Sequence, residues 1–165
     1  MKFVKLIFLA LFVACSAIPA GAENENELVV GENLKVGMPL TDAFKLLGLP
    51  KRIQVRRGTD RLSDGIAIAY VDHGVVIHAV NKGSVVEGIE VSLRFAGRFA
   101  AGIKIGDSFK TMIEKYGVPE SFKSGVARYP KRHLIFVLNQ EKIVSAKVFA
   151  KDTPLLAGRI AVSGK

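Results

Sequence analysis

Apolar positions recur at helical spacing in two places along the chain. Leu40, Ala43, Phe44 and Leu47 fall at i, i+3, i+4 and i+7, and Phe109, Met112, Ile113 and Tyr116 repeat the pattern. Each segment predicts a short helix with a single apolar stripe. Pro39 suits the first helical position, and Asp107 or Ser108 suits an N-cap. Gly48 and Gly117 suit the position after the last turn, where a left-handed backbone favours glycine, and Pro50 and Pro119 prevent continuation.

Between and beyond these segments the pattern changes to β-rich runs separated by turn residues. The first set is Ile66 to Val71, Val75 to Val80 and Val85 to Phe95, and the second is Val126 to Tyr129, His133 to Leu138 and Ile143 to Phe149. Asp72-His73-Gly74, Asn81-Lys82-Gly83-Ser84, Pro130-Lys131-Arg132 and Asn139-Gln140-Glu141 supply the connections. Strict alternation in the last run of each set, with Ile89, Val91 and Leu93 opposite Glu90, Ser92 and Arg94, predicts one buried and one open sheet face. Val144, Ala146 and Val148 likewise oppose Ser145 and Lys147.

The two sets are copies of one unit. Laying residues 34–51 over residues 103–120, at an offset of 69, matches Lys35 with Lys104, Gly37 with Gly106, Gly48 with Gly117 and Pro50 with Pro119. Apolar positions agree at Leu34/Ile103, Val36/Ile105, Leu40/Phe109 and Leu49/Val118. The expected fold is α+β: two tandem repeats, each a helix plus a three-stranded antiparallel sheet, with the helices packed on one sheet face. Repeat 1 spans 34–97 and repeat 2 spans 98–150, after a polar leader at 23–33 and before a flexible tail at 151–165. A polar stretch from Gln54 to Gly65, absent from the second copy, is expected to be a loop.

The start of the chain predicts export. Lys2 and Lys5 precede the apolar run Leu6 to Ala14, and Ala20-Gly21-Ala22 forms an A-x-A site before Glu23, so 1–22 is expected to be a signal peptide cleaved after Ala22. The run is far shorter than the roughly 20 residues a spanning helix needs, and no transmembrane span is expected. Val13-Ala14-Cys15-Ser16 offers a second processing route, lipidation of Cys15 as in bacterial lipoproteins. Periplasm or secretion is the first localisation this implies, and an outer-membrane anchor the alternative. Cleavage after Ala22 leaves no cysteine, hence no disulfide, Cys-ligated zinc or thiol nucleophile.

Gly37, Met38, Leu47, Gly48 and Pro50 form a run that resembles the helix signature of the small lipoprotein subunit of the outer-membrane β-barrel assembly machinery. Its second appearance, Gly106 to Pro119, makes the tandem arrangement resemble the β-lactamase inhibitory proteins, which carry two helix-plus-sheet units. The resemblance implies a binding module, either an accessory subunit at the outer membrane or a clasp using an open sheet face. This sequence departs from the first group in having two copies and from the second in lacking mature cysteines, so only the binding class carries over, because function resides in sites rather than folds.

With 49% hydrophobic and 24% charged residues the chain is composed to fold, and its net charge of +9 favours an anionic partner. Enzyme signatures are missing: no G-x-S-x-G elbow, phosphate loop, dinucleotide fingerprint or paired-carboxylate motif occurs. Ser84, Ser121 and Ser124 stand in turn-like contexts without a base. His73 and His133 fall in or beside turns, and His78 lies on a strand, where Asp72 is a conceivable neighbour. No cofactor, no metal and no catalytic residues are expected, and nucleic acid is disfavoured by export, the absence of tryptophan and the presence of only three tyrosines.

Two surfaces remain as candidates. Arg94, Lys147, Glu90 and His78 form an expected partner surface on the open sheet face, which predicts an exported, non-enzymatic binding or accessory protein of the bacterial cell envelope that docks a protein partner. Lys51, Arg52, Arg56, Arg57 and Arg61 form the densest basic stretch, and the alternative is electrostatic attachment of this loop to an anionic envelope polymer or lipid. A third possibility, an envelope hydrolase, requires two polar side chains converging on His78.

Overall fold

The computed structural model describes residues 27–57, 64–80, 82–151 and 153. The expected signal peptide at 1–22 with Cys15, residues 23–26 of the expected leader, Arg61, the side chain of Arg56 and the residues beyond 153 lie outside the described residues. Chain order is β1 (Val29–Val30), α1 (Leu40–Leu47), β2 (Arg52–Arg56), β3 (Gly65–Tyr70), β4 (Val75–Val80), β5 (Gly88–Val91) and β6 (Arg98–Phe99). Then follow α2 (Phe109–Tyr116), β7 (Ser121–Lys123), β8 (Val126–Tyr129), a single 3-10 turn at Pro130–Arg132, β9 (Leu134–Asn139) and β10 (Lys142–Phe149).

One eight-stranded antiparallel sheet runs in the order β2-β3-β4-β5-β10-β9-β8-β7, and β1 pairs parallel with β6 in a separate two-stranded ribbon. The protein is therefore mostly β, which corrects the α+β expectation of two helix-plus-three-strand repeats. Each helix has only eight residues, little more than two turns. Each is followed by four strands of the large sheet rather than three, and the two sets do not form separate sheets. They join through β5 and β10, where Ile89 faces Val148, Glu90 faces Lys147 and Val91 faces Ala146.

Strands β2 and β7 escape the sequence pattern for different reasons. Arg52-Ile53-Gln54-Val55-Arg56 alternates with the period of a strand, but its charges hid it within a segment expected to be a loop. Residues Ser121 to Lys123 are too few to show any period, and all three are exposed. The expected strand over Val85 to Phe95 is shorter, because the ladder ends at Val91 and Leu93-Arg94 form a turn. In β10 the register shifts between Ile143 and Ser145, a bulge that lets Ile143 and Ala146 both reach the core although they are three residues apart.

Capping follows the sequence with one exchange of position. Ser108 is the N-cap of α2, and its hydroxyl accepts from the Thr111 amide at 3.1 Å, while Pro39 is itself the N-cap of α1, one residue earlier than expected, and supplies no side-chain bond. Gly48 and Gly117 end the helices with φ of 75° and 81°. Their ψ values of −152° and −175° are extended rather than left-handed helical, so the backbone turns directly toward the next strand.

Both helices and the β1–β6 ribbon cover one face of the sheet. Ala43 and Leu47 of α1 and Met112 of α2 are buried against Ile68, Ile77, Ile89, Ala127, Phe136 and Ala146 in a single apolar cluster. Phe136 is its aromatic centre, with the rings of Phe99, Tyr116 and Tyr129 at 5.5, 5.4 and 6.2 Å. Val29 and Val30, within the leader, are buried, and the Val29 amide donates to Asn33 Oδ1 at 2.7 Å. No helix among the described residues is long and apolar enough to cross a membrane.

Candidate functional site

Alternation along the strands assigns the remaining side chains to the opposite, helix-free face. At the seam of the two halves, the register sets Lys147 and Val76 on either side of Glu90, and His78 and Phe149 on either side of Gly88. Gly88 leaves room there, because a Cβ on it would lie 3.3 Å from the Phe149 ring. Three ionisable groups consequently meet at the centre of the face. Lys147 Nζ stands 2.6 Å from Glu90 Oε2, and His78 Nε2 stands 3.4 Å from the same oxygen.

These groups are recessed. Their side chains are 20% exposed for Lys147, 31% for Glu90 and 12% for His78, and Val76, Ile135 and Val137 around them are half-buried. The His78 hydrogen bond, followed by the hydrogen bond and charge of Lys147, outweighs desolvation and holds the Glu90 carboxyl at about 2 instead of 4.5. Glu90 is thus ionised throughout the neutral range and ties Lys147 into a fixed geometry. The arrangement is a small charged knot set in an apolar surround, suited to orienting a complementary surface.

Of the expected partner surface, the structure brings together Lys147, Glu90 and His78. Arg94 is elsewhere: it lies in the turn after β5 and lines a shallow pocket with Glu27, Leu28, Asp72, His73, Ala96 and Gly97. Its strand-like spacing from Glu90 was misleading because the chain leaves the sheet at Ser92, whose amide donates to the Gly74 carbonyl. Asp72 does not meet His78. Its carboxylate pairs with Lys51 at 2.9 Å.

The basic stretch is divided by the fold. Arg52 and Arg56 belong to strand β2, which corrects the reading of this stretch as a loop. Lys51 is held by Asp72, and Arg57 donates to Asp64 at 3.1 Å. His73 is exposed in the turn before β4, and His133 closes the 3-10 turn with φ of 51°. Among the described residues no group of three or more His, Cys, Asp or Glu gathers as a metal ion would require.

Sequence reasoning missed the apolar rim of this face. Val76, Ile135 and Val137 were counted simply as strand residues, yet they alternate with the buried Ile77, Leu134 and Phe136 and so must face the other way. It also missed Ile53 and Val55, which the edge strand leaves in solvent. No protein-family model, curated protein or solved structure matches the chain.

Proposed function

We propose that the chain is an exported, non-enzymatic binding or accessory protein that docks a protein partner through the helix-free face of its sheet. The single observation that carries this reading is the Lys147–Glu90–His78 cluster, held at the seam of the two halves and ringed by half-buried apolar side chains. An apolar surround with a few fixed charges at its centre is the composition of a protein-binding surface, where the apolar area supplies affinity and the charges fix orientation. The electrostatic alternative draws less support, since Lys51 and Arg57 already meet acids of the same chain.

The experiment is site-specific photo-crosslinking in the envelope of the native host. A crosslinker at Val76 or Ile135 is expected to give a discrete protein adduct that Lys147→Glu removes, whereas one at Lys45 on the outer surface of α1 gives none. Adducts that persist in Lys147→Glu, or that form from the helix side instead, defeat the reading.

A further inference from the structure

We propose that the edge of β2, unpaired among the described residues, is a second recognition site, which accepts an extended segment of a partner protein as a ninth strand, the segment carrying acidic residues alternating with apolar ones. β2 is one of two edges of the sheet, and its pairing with β3 runs without interruption from Arg52↔Ala69 to Arg56↔Gly65. Edges of this kind normally carry a proline, an inward lysine or a bulge that prevents another chain from pairing. β2 has no proline and no bulge, and its charges are confined to Arg52 and Arg56 at its two ends. Ile53 and Val55 are instead 60% and 61% exposed on its apolar side.

The other edge shows what protection looks like in the same molecule. Strand β7 has three residues against five in β2, and Phe122, which corresponds to Ile53 in the repeat, stacks on Phe109 of α2 with ring centroids 4.8 Å apart. In the first half the residue corresponding to Phe109 is Leu40, which offers no ring. The two edges have therefore diverged: β7 is short and its half-exposed Phe122 stacks on a helix ring, whereas β2 is longer and its Ile53 and Val55 stack on no ring among the described residues. Backbone groups along an open strand supply affinity to any extended chain, and side chains at alternate positions decide which chain it is.

Charge decides the occupant. A second copy of this chain, paired antiparallel about Gln54, would set Ile53 against Val55 favourably but would bring residues 52 and 56, both arginine, opposite each other twice. A parallel pairing would also bring like charges together. A strand with glutamate or aspartate opposite those positions and aliphatic residues opposite Ile53 and Val55 satisfies both faces. Arg52 makes no ion pair among the described residues, whereas its neighbour Lys51 is held by Asp72.

The test is nuclear magnetic resonance titration of the full chain with an end-capped synthetic peptide of alternating valine and glutamate. Shifts are expected at the amides of Arg52 to Arg56, and the same peptide with lysine in place of glutamate is expected to bind about tenfold more weakly. Arg52→Glu with Arg56→Glu should reverse that preference, and Ile53→Lys with Val55→Lys should abolish binding of both peptides while leaving the circular dichroism spectrum unchanged, because both side chains already face water. Shifts centred on β7 or on Lys147, equal binding of the two peptides, or a dimer of the free chain that Ile53→Lys dissociates would each overturn the proposal. Since Glu90 and Lys147 lie three and four strands away from β2, Lys147→Glu leaves the peptide titration intact if the two sites are independent, and the two readings fail separately.

Discussion

Glu90 is a carboxylate whose surroundings favour its charge, and that has a definite sign in stability. Its folded value, about 2, lies below the ordinary 4.5, so its contribution is fully present above pH 4.5 and disappears as the pH falls through 2. Glu90→Gln is expected to cost about 1 to 2 kcal/mol at neutral pH, after allowance for the solvent that reaches the carboxylate, and to flatten the fall in stability between pH 4.5 and 2. Urea midpoints at a series of pH values check this. Two tyrosines make a second comparison. Tyr129 ends β8 and donates its hydroxyl to the Gly117 carbonyl at 2.7 Å, while Tyr70 ends β3, is buried, and has no hydrogen-bond partner for its hydroxyl among the described residues. Tyr129→Phe should lose about 1 kcal/mol, whereas Tyr70→Phe should be neutral or stabilising, since it removes a desolvated, unpaired oxygen. Thermal melts of the two variants separate these outcomes. The same melts would detect a compensating rearrangement, because equal losses in both would contradict the difference in their hydroxyl environments.

Helix α2 depends on its cap in a way that α1 does not. Ser108→Ala should lower stability by about 1 kcal/mol, and Pro39→Ala should lower it by less, because no side chain caps α1. Denaturant titration of both variants tests the ordering. At the β1–β6 ribbon a methyl group on residue 97 would stand 2.0 Å from the Leu28 carbonyl oxygen, so Gly97→Ala should detach β1 and speed hydrogen exchange at the Arg98 amide, which donates to that oxygen. These elements were unequally legible in the sequence. The helices and the strands β3, β4, β5, β8, β9 and β10 announced themselves by period, and β4 and β8 occupy the spans expected for them. Strands β1, β6 and β7 have two or three residues, too few for a period to exist, and β2 was concealed by polar composition although its alternation was present. The candidate site was readable in part: alternation set Glu90 and Lys147 on the open face, but only the pairing register could make them direct neighbours and exclude Arg94.

At the scale of the whole molecule, the strand order of the large sheet reads outward from a central seam between β5 and β10. The match between residues 34–51 and 103–120 predicts two units, yet nothing in one chain's periodicity states whether their strands form one sheet or two; that depends on strand edges meeting, a long-range event. Because one apolar cluster includes residues from both halves, they should unfold together. Circular dichroism and tyrosine fluorescence are expected to report one coincident urea transition, and two resolved transitions would show independent halves. Phe136→Ala, which empties the aromatic centre, should cost about 3 to 5 kcal/mol and shift both probes equally.

The seam also governs the order in which the protein can be completed. Strand β10, the last among the described residues, sits between β5 and β9 in the middle of the sheet. A chain that emerges from its amino end can pair β2 through β5 early, but it holds the inner edge of β5 open until residues 146–149 arrive. Folding is therefore limited by a contact between segments more than fifty residues apart, the kind of closure that slows a β protein. Until that closure the growing chain exposes the apolar margin of β5 to any neighbour, so a holding factor that covers an unpaired strand would act during that interval and become unnecessary when β10 docks.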